Sequence, residues 1–211
     1  MKTNKIAVIG GSGKSGKYVV KSLLEKGYQL KLLLRHPQDN GSGHPLIEII
    51  KGDVRDQKAV NLLLKDCGFV ISTLGQPKGE RSIFSEATEN IIRAMEHEGI
   101  RRYIVTTGLS VNTAADHKNE RVTVATDWMY QNYPETTQDK QKEYELLLES
   151  TIDWTLIRLP LIHLTDEHFA TETDLTDCKG ESISAADLAV FLVSQIENEA
   201  YVRKSPFLYT V

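Results

Sequence analysis

Three glycines set the first chemical constraint. Gly10, Gly13 and Gly16 form a G-x-x-G-x-x-G run directly after the apolar segment Ile6 to Ile9 and just ahead of an amphipathic stretch. There a strand must turn into a helix, and glycine lets the turning backbone come close to a ligand. Unpaired amides and the positive end of the helix dipole favour a pyrophosphate, with the amides of Ser12, Gly13, Lys14 and Ser15 as the expected donors. The competing reading is a tight turn with no ligand. Gly13-Lys14-Ser15 also suggests a P-loop, but that motif requires glycine where Val8 stands inside the strand, so the spacing rejects it.

A second constraint lies at the end of the next strand. NAD enzymes commonly place an acidic residue there, about 20 residues beyond the glycines, to hold the ribose hydroxyls. This chain has Arg35 instead. A guanidinium can pair with a 2′-phosphate and Lys14 can add charge, so NADP is the expected cofactor, with NAD as the second option. Arg35 as a solvated charge at a strand end is the plain alternative.

The elements that must position these residues follow from periodicity. Strands are expected over Lys5–Ile9, Gln29–Leu34, Leu46–Ile50, Gly68–Thr73, Arg102–Thr106, Trp154–Leu159 and Phe207–Val211. Helices are expected over Ser15–Lys26, Asp56–Lys65, Ser82–Glu98 and Asp139–Glu149, with a last one opened by Ser184 and Asp187 as cap and third-position partner. Apolar runs without alternation are buried on both faces, and strands joined by crossover helices form a parallel, doubly wound α/β sheet, a Rossmann fold. Val111–Thr137 and His163–Gly180 are polar and irregular, and read as surface segments. No repeat or linker divides residues 1–211, so one domain with a small C-terminal, substrate-side extension is expected.

Composition narrows the function classes. With 25 basic against 29 acidic residues, a net charge of -4 gives no cationic excess for a nucleic-acid backbone. Cys67 and Cys178 form no CxxC pair, so neither a disulfide framework nor a thiolate zinc site is indicated. The first apolar run is too short for a signal peptide or a membrane span, and a cytoplasmic protein is expected.

The chain resembles the atypical short-chain dehydrogenases/reductases, in particular the NmrA-like and biliverdin reductase B/flavin reductase-like group. The resemblance rests on IAVIGGSGKSG, LLLRHP, KGDVRD, VISTLG, TTG after the fifth strand, DWTLIRLP and ISAADLA, and spans nearly the whole chain. It implies that Asp53 and Val54 border the adenine and that Leu74 and Gly75 line the adenosine path. It further implies that Thr106, Thr107 and Gly108 lie beside the nicotinamide riboside, with Pro160 and Leu161 facing the nicotinamide.

The catalytic residues are less defined. Tyrosine-dependent members use Tyr-x-x-x-Lys, in which lysine lowers the phenol pKa for proton exchange with the substrate oxygen. Here Thr136 stands four residues before Lys140, and no such pair occurs in the chain. Reductases of the biliverdin/flavin type lack the pair too, but the serine they carry after the fifth strand aligns with Gly108, leaving Thr107 or Ser110 as its substitute and Lys140 as a further catalytic candidate. The cluster His163, Asp166, Glu167 and His168 misses the H-x-x-E-H spacing by one residue, so no metal is expected. His117 reads as incidental, Trp128 as a candidate wall of the substrate site, and Cys67 and Trp154 as core.

Two function classes follow. One is an NADPH-dependent reductase of a small conjugated acceptor; the other is an NADP-sensing protein of NmrA-like type with a protein partner. A sugar-nucleotide epimerase is disfavoured, since it needs the missing tyrosine and a larger C-terminal domain.

Overall fold

The computed structural model of the chain describes residues 5–37 and 43–211. Strands β1 (Lys5–Ile9), β2 (Gln29–Leu34), β3 (Ile47–Lys51), β4 (Phe69–Ser72), β5 (Arg102–Gly108) and β6 (Asp153–Leu159) run parallel in the order β3-β2-β1-β4-β5-β6. The seventh strand from that edge, Phe207–Thr210, lies parallel to β6, and the eighth, Thr171–Asp174, is antiparallel to it. Strand order reverses between β1 and β4, which opens a crevice at their carboxyl ends where such sheets bind ligands.

Helices cover both faces. Helices α1 (Gly16–Glu25), α2 (Gln57–Leu64), α3 (Phe84–Glu98), α4 (Glu120–Asn132), α5 (Pro134–Glu149) and α6 (Ala185–Ser194) divide so that α1 packs on α6 while α3 packs on α2 and α5. The four apolar residues of β1 serve the two layers alternately. Ile6 and Val8 join Val19, Leu23 and Leu192, whereas Ala7 and Ile9 join Val60, Leu63 and Ile91. All four are fully buried, and the larger side chains each contribute roughly 1.5–3 kcal/mol by leaving water. Lys31 is buried in β2, where its ammonium donates to the carbonyls of Leu62 and Lys65 at 2.8 and 2.9 Å. A cation at the carboxyl end of α2 is favoured by the helix dipole.

Three local expectations change. Val111–Thr137 contains α4, whose buried residues are only Val122 and Thr126, too few to write an apolar stripe. The next helix begins at Pro134 rather than near Asp139, with proline at a first-turn position that leaves no amide to satisfy. Third, α3 begins at Phe84, and its amino end is capped from α5: Asp139 accepts from the Phe84 amide at 2.7 Å and from the hydroxyls of Ser82 and Ser85.

Past Pro160 the expected extension is a two-stranded parallel ribbon of β7 (Leu161–His163) and β9 (Ser182–Ser184), while β8 (Thr171–Asp174) and β10 (Phe207–Thr210) continue the main sheet. Ser184 and Asp187 form the expected cap on α6, with the Asp187 amide donating to the Ser184 hydroxyl at 3.0 Å. No described helix is long and apolar enough to cross a membrane.

Candidate active site

The turn between β1 and α1 is built around the Gly10 carbonyl. Gly10 has φ +75°, and a Cβ there would lie 2.6 Å from the Thr73 carbonyl oxygen, so a side chain would push β1 off β4. At Gly16 a side chain would run into the carbonyl oxygen of Gly10, which accepts from the Gly13 amide at 2.8 Å. Both glycines are needed to close the turn. Among the described residues, the amides of Ser12, Lys14 and Ser15 make no hydrogen bond to the chain. The N-cap Ser15 makes no side-chain cap, and the first turn of α1 holds no acidic residue. The positive end of α1 is therefore uncompensated, which fits the pyrophosphate of a dinucleotide.

This turn opens into a crevice of about 250 Å³ at the switch point, lined by Gly10, Ser12, Gly13, Arg35, Asp53, Val54, Leu74, Gly75, Gln76, Pro77 and Ile83. Eight of those positions are ones the sequence marks for the cofactor. Lys14, Ser15 and Gly16 complete the turn beside it. The crevice also reveals an ionic network that sequence reasoning missed. Arg55 grips Asp53 through two bonds of 2.9 and 2.7 Å, and Glu80 joins Arg35 at 2.7 Å to Arg55 at 2.9 Å. The neighbouring Arg55 holds the Asp53 carboxyl below the usual carboxylate range, and Arg35 does the same for Glu80. The spacing Asp53-x-Arg55 just past β3 was a readable signal for the first pair; nothing local marked Glu80.

Further along the carboxyl edge lie the remaining predicted positions. Thr106 donates weakly to the Ser72 carbonyl at 3.5 Å. Thr107 shares its strand face with Tyr103 and Val105, which pack in the core, and its enclosed hydroxyl has no hydrogen-bond partner among the described residues. Pro160 is buried, whereas Leu161 is 64% exposed.

Gly108 marks a meeting point. A Cβ on it would stand 3.6 Å from the Ser110 hydroxyl and 3.8 Å from the Lys140 ammonium, so both polar groups converge on the end of β5. The Lys140 ammonium also lies 4.7 Å from the centroid of the Phe84 ring. Desolvation lowers its pKa below the ordinary lysine value, with Glu143 acting against that shift.

One turn along α5, Glu143 is fully enclosed. One carboxyl oxygen accepts from the Thr88 hydroxyl at 2.8 Å and the other has no hydrogen-bond partner among the described residues, and burial pushes the pKa up to about 8 from an ordinary 4.5. The folded state thus holds the proton more tightly than the unfolded chain. This contribution is whole below pH 4.5 and is lost as the pH rises through about 8. Glu143→Gln removes the titrating group, so the variant is expected to gain in melting temperature over the parent as pH increases across that window. Parallel melting curves at all pH values would refute the assignment.

The acidic and histidine cluster does not assemble. Asp166 pairs with Lys21 at 2.9 Å, His168 pairs with Asp187 at 2.6 Å, and His163 is exposed. His117 is exposed as well, and Trp128 is 51% exposed on α4. Cys67 and Trp154 are core residues, with burial raising the Cys67 thiol to about 11.

Comparison with known proteins agrees with this geometry. The profile of the NAD(P)H-binding family matches residues 10–199. A short-chain dehydrogenase/reductase from Veillonella parvula DSM 2008 in complex with NADP superposes with a TM-score of 0.81 at 17% identity, covering 99% of this chain and 95% of that one. ChuY, an anaerobillin reductase from Escherichia coli O157:H7, superposes with a TM-score of 0.79 at 20% identity, covering 98% and 97%. In sequence, the sterol-4-alpha-carboxylate 3-dehydrogenase, decarboxylating, of Mus musculus is 28% identical over 116 residues, 52% of this chain and 31% of that protein. The chain spans about a third to a half of the length of the first curated relatives it matches.

Proposed function

Because the chain belongs to the NAD(P)H-binding family, we propose that it is an NADPH-dependent reductase of a small conjugated acceptor such as a flavin or a quinone. The observation that carries this reading is the convergence of the Lys140 ammonium and the Ser110 hydroxyl on Gly108, at the carboxyl end of the strand next to the crevice. When bound, the dinucleotide supplies a hydride, and the acceptor gains that hydride and one proton.

The chain's residues supply the rest. Open amides at Ser12, Lys14 and Ser15 bind the pyrophosphate, and Arg35 meets the 2′-phosphate. Lys140 donates the proton to the acceptor atom that receives charge, and Ser110 hydrogen-bonds the same atom. Lysine suits this task when desolvation brings its pKa down towards the working pH. Leu161, 64% exposed just past the carboxyl end of β6, offers an apolar face to a planar acceptor. That ChuY, which shares the fold, is an anaerobillin reductase supports reduction as the reaction type.

Calorimetric titration with NADPH and with NADH tests the cofactor reading. The parent protein is expected to prefer NADPH, and Arg35→Ala to weaken NADPH by about tenfold with little change in NADH. Equal losses for both cofactors, or none, would remove Arg35 from the site. Turnover with a panel of flavins and quinones tests the reaction. Tight NADPH binding without oxidation by any acceptor would favour the cofactor-sensing alternative instead.

A further inference from the structure

We propose that Arg35 and Arg55 form a two-guanidinium clamp for the 2′-phosphate of the cofactor, and that the Glu80 carboxylate holds the phosphate's place until the cofactor displaces it. The inference rests on the NADPH reading above and goes further by assigning the roles of Arg55 and Glu80.

The geometry is that of an anion held between two cations. One Glu80 oxygen lies 2.7 Å from Arg35 Nη1 and the other lies 2.9 Å from Arg55 Nη2, so the carboxylate bridges the pair. Arg35 lines the crevice from the end of β2, and Arg55 stands behind it, held by Asp53, which lines the crevice from the end of β3. Asp53 orients Arg55 through its Nε and Nη2, and Nη2 also serves Glu80, so the guanidinium is set before any ligand arrives.

Glu80 comes from a loop that is built to present it. Gln76 donates its side-chain amide to the carbonyls of Pro77, Glu80 and Arg81 at 3.2, 2.8 and 3.2 Å, and Gly79 takes φ +77° to complete the turn. Gln76 and Pro77 themselves line the crevice. The charges explain the exchange. Two arginines against Asp53 and Glu80 sum to zero, and displacing Glu80 leaves one positive charge for a phosphate monoester that carries between about one and a half and two negative charges. The Glu80 side chain is 35% exposed and that of Arg35 45%, and ion pairs so open to water are weak enough to be given up readily. NADH brings no group to replace the carboxylate, so Glu80 stays in place and the clamp contributes nothing to it. The carboxylate thus lowers NADPH affinity somewhat while keeping two arginines from repelling each other in the free protein.

The test is calorimetric titration with 2′,5′-ADP and with 5′-ADP at fixed ionic strength. In the parent protein 2′,5′-ADP should bind more tightly. Glu80→Gln removes the competing charge and should tighten 2′,5′-ADP by about 3–10-fold while leaving 5′-ADP unchanged. Arg55→Ala on top of Glu80→Gln should return 2′,5′-ADP to the parent's affinity or below, since the clamp then has one arm. If the parent prefers 2′,5′-ADP but Glu80→Gln leaves it unchanged or weakens it, or if the gain survives Arg55→Ala, the proposal fails while the NADPH reading stands. No preference in the parent would overturn both.

Discussion

Asp116→Ala is expected to destabilise the fold by about 3–5 kcal/mol, the usual result of leaving a buried charge without its partner. For a chain of this size, such a loss lowers the melting temperature by roughly 10 °C. Arg158 in β6 has no exposure, and Asp116 contacts it at 2.6 Å. The remaining partners of the guanidinium are the carbonyls of Ser205, Val111 and Leu175 and the face of the Phe207 ring, 3.6 Å away. None of these carries a formal charge. Lys118 lies 3.7 Å from the same carboxylate with only 7% of its side chain exposed, and burial lowers its pKa to about 8. Removing Asp116 therefore strands two cations. Asp116→Asn, which keeps shape and hydrogen bonds, should fall between parent and alanine variant. Thermal and urea denaturation would measure this, and an alanine variant within about 1 kcal/mol of the parent would show that the cations relax to water instead. The same pair ties the segment after β5 to β6, so activity in the alanine variant should fall with the fold.

Lys140→Met is expected to lower kcat by about a hundredfold or more while leaving NADPH affinity unchanged, the signature of a group acting on the reaction rather than on cofactor binding. Methionine fills similar space and brings no charge into a desolvated position, so stability should hold or rise. The pH profile separates proton donation from packing. In the parent, the rate should fall on the alkaline side as the ammonium loses its proton at a pKa below the ordinary lysine value. That limb should vanish in the variant. An unchanged kcat, or an alkaline limb that persists in the variant, would take the proton from Lys140 and give it to solvent.

Most of the sheet was legible because its strands are apolar on both faces, and residues such as Ile6 to Ile9 announce that burial without any partner being known. The glycine turn was legible for a similar reason: its constraints are local, and the close approaches of Gly10 and Gly16 follow from a strand running into a helix. Helix α4 was not, because it buries only Val122 and Thr126 and leaves Val124 and Trp128 exposed. The edge strand β8, with the sequence Thr-Glu-Thr-Asp, has no apolar pattern at all and exists only by pairing with β10. The same limit hides the site's ionic partners. Glu80 meets Arg35 across 45 residues and Asp116 meets Arg158 across 42, and neither pairing leaves a trace in spacing. Lys140 was visible only as one half of an absent motif, while its convergence with Ser110 required the path of α5 over the end of β5.

The polar edge has a consequence for association. An eight-stranded sheet ends in two rows of backbone groups able to accept another strand, and long apolar edges invite sheet-to-sheet growth between molecules. Here one edge is the four-residue β8, whose Thr171 and Glu172 are exposed, and the other is β3, where Glu48 and Lys51 are exposed. An incoming strand would have to bring its own side chains against these charges and strip their water. Both edges of the sheet therefore disfavour strand addition, on the same architecture that opens the crevice between β1 and β4.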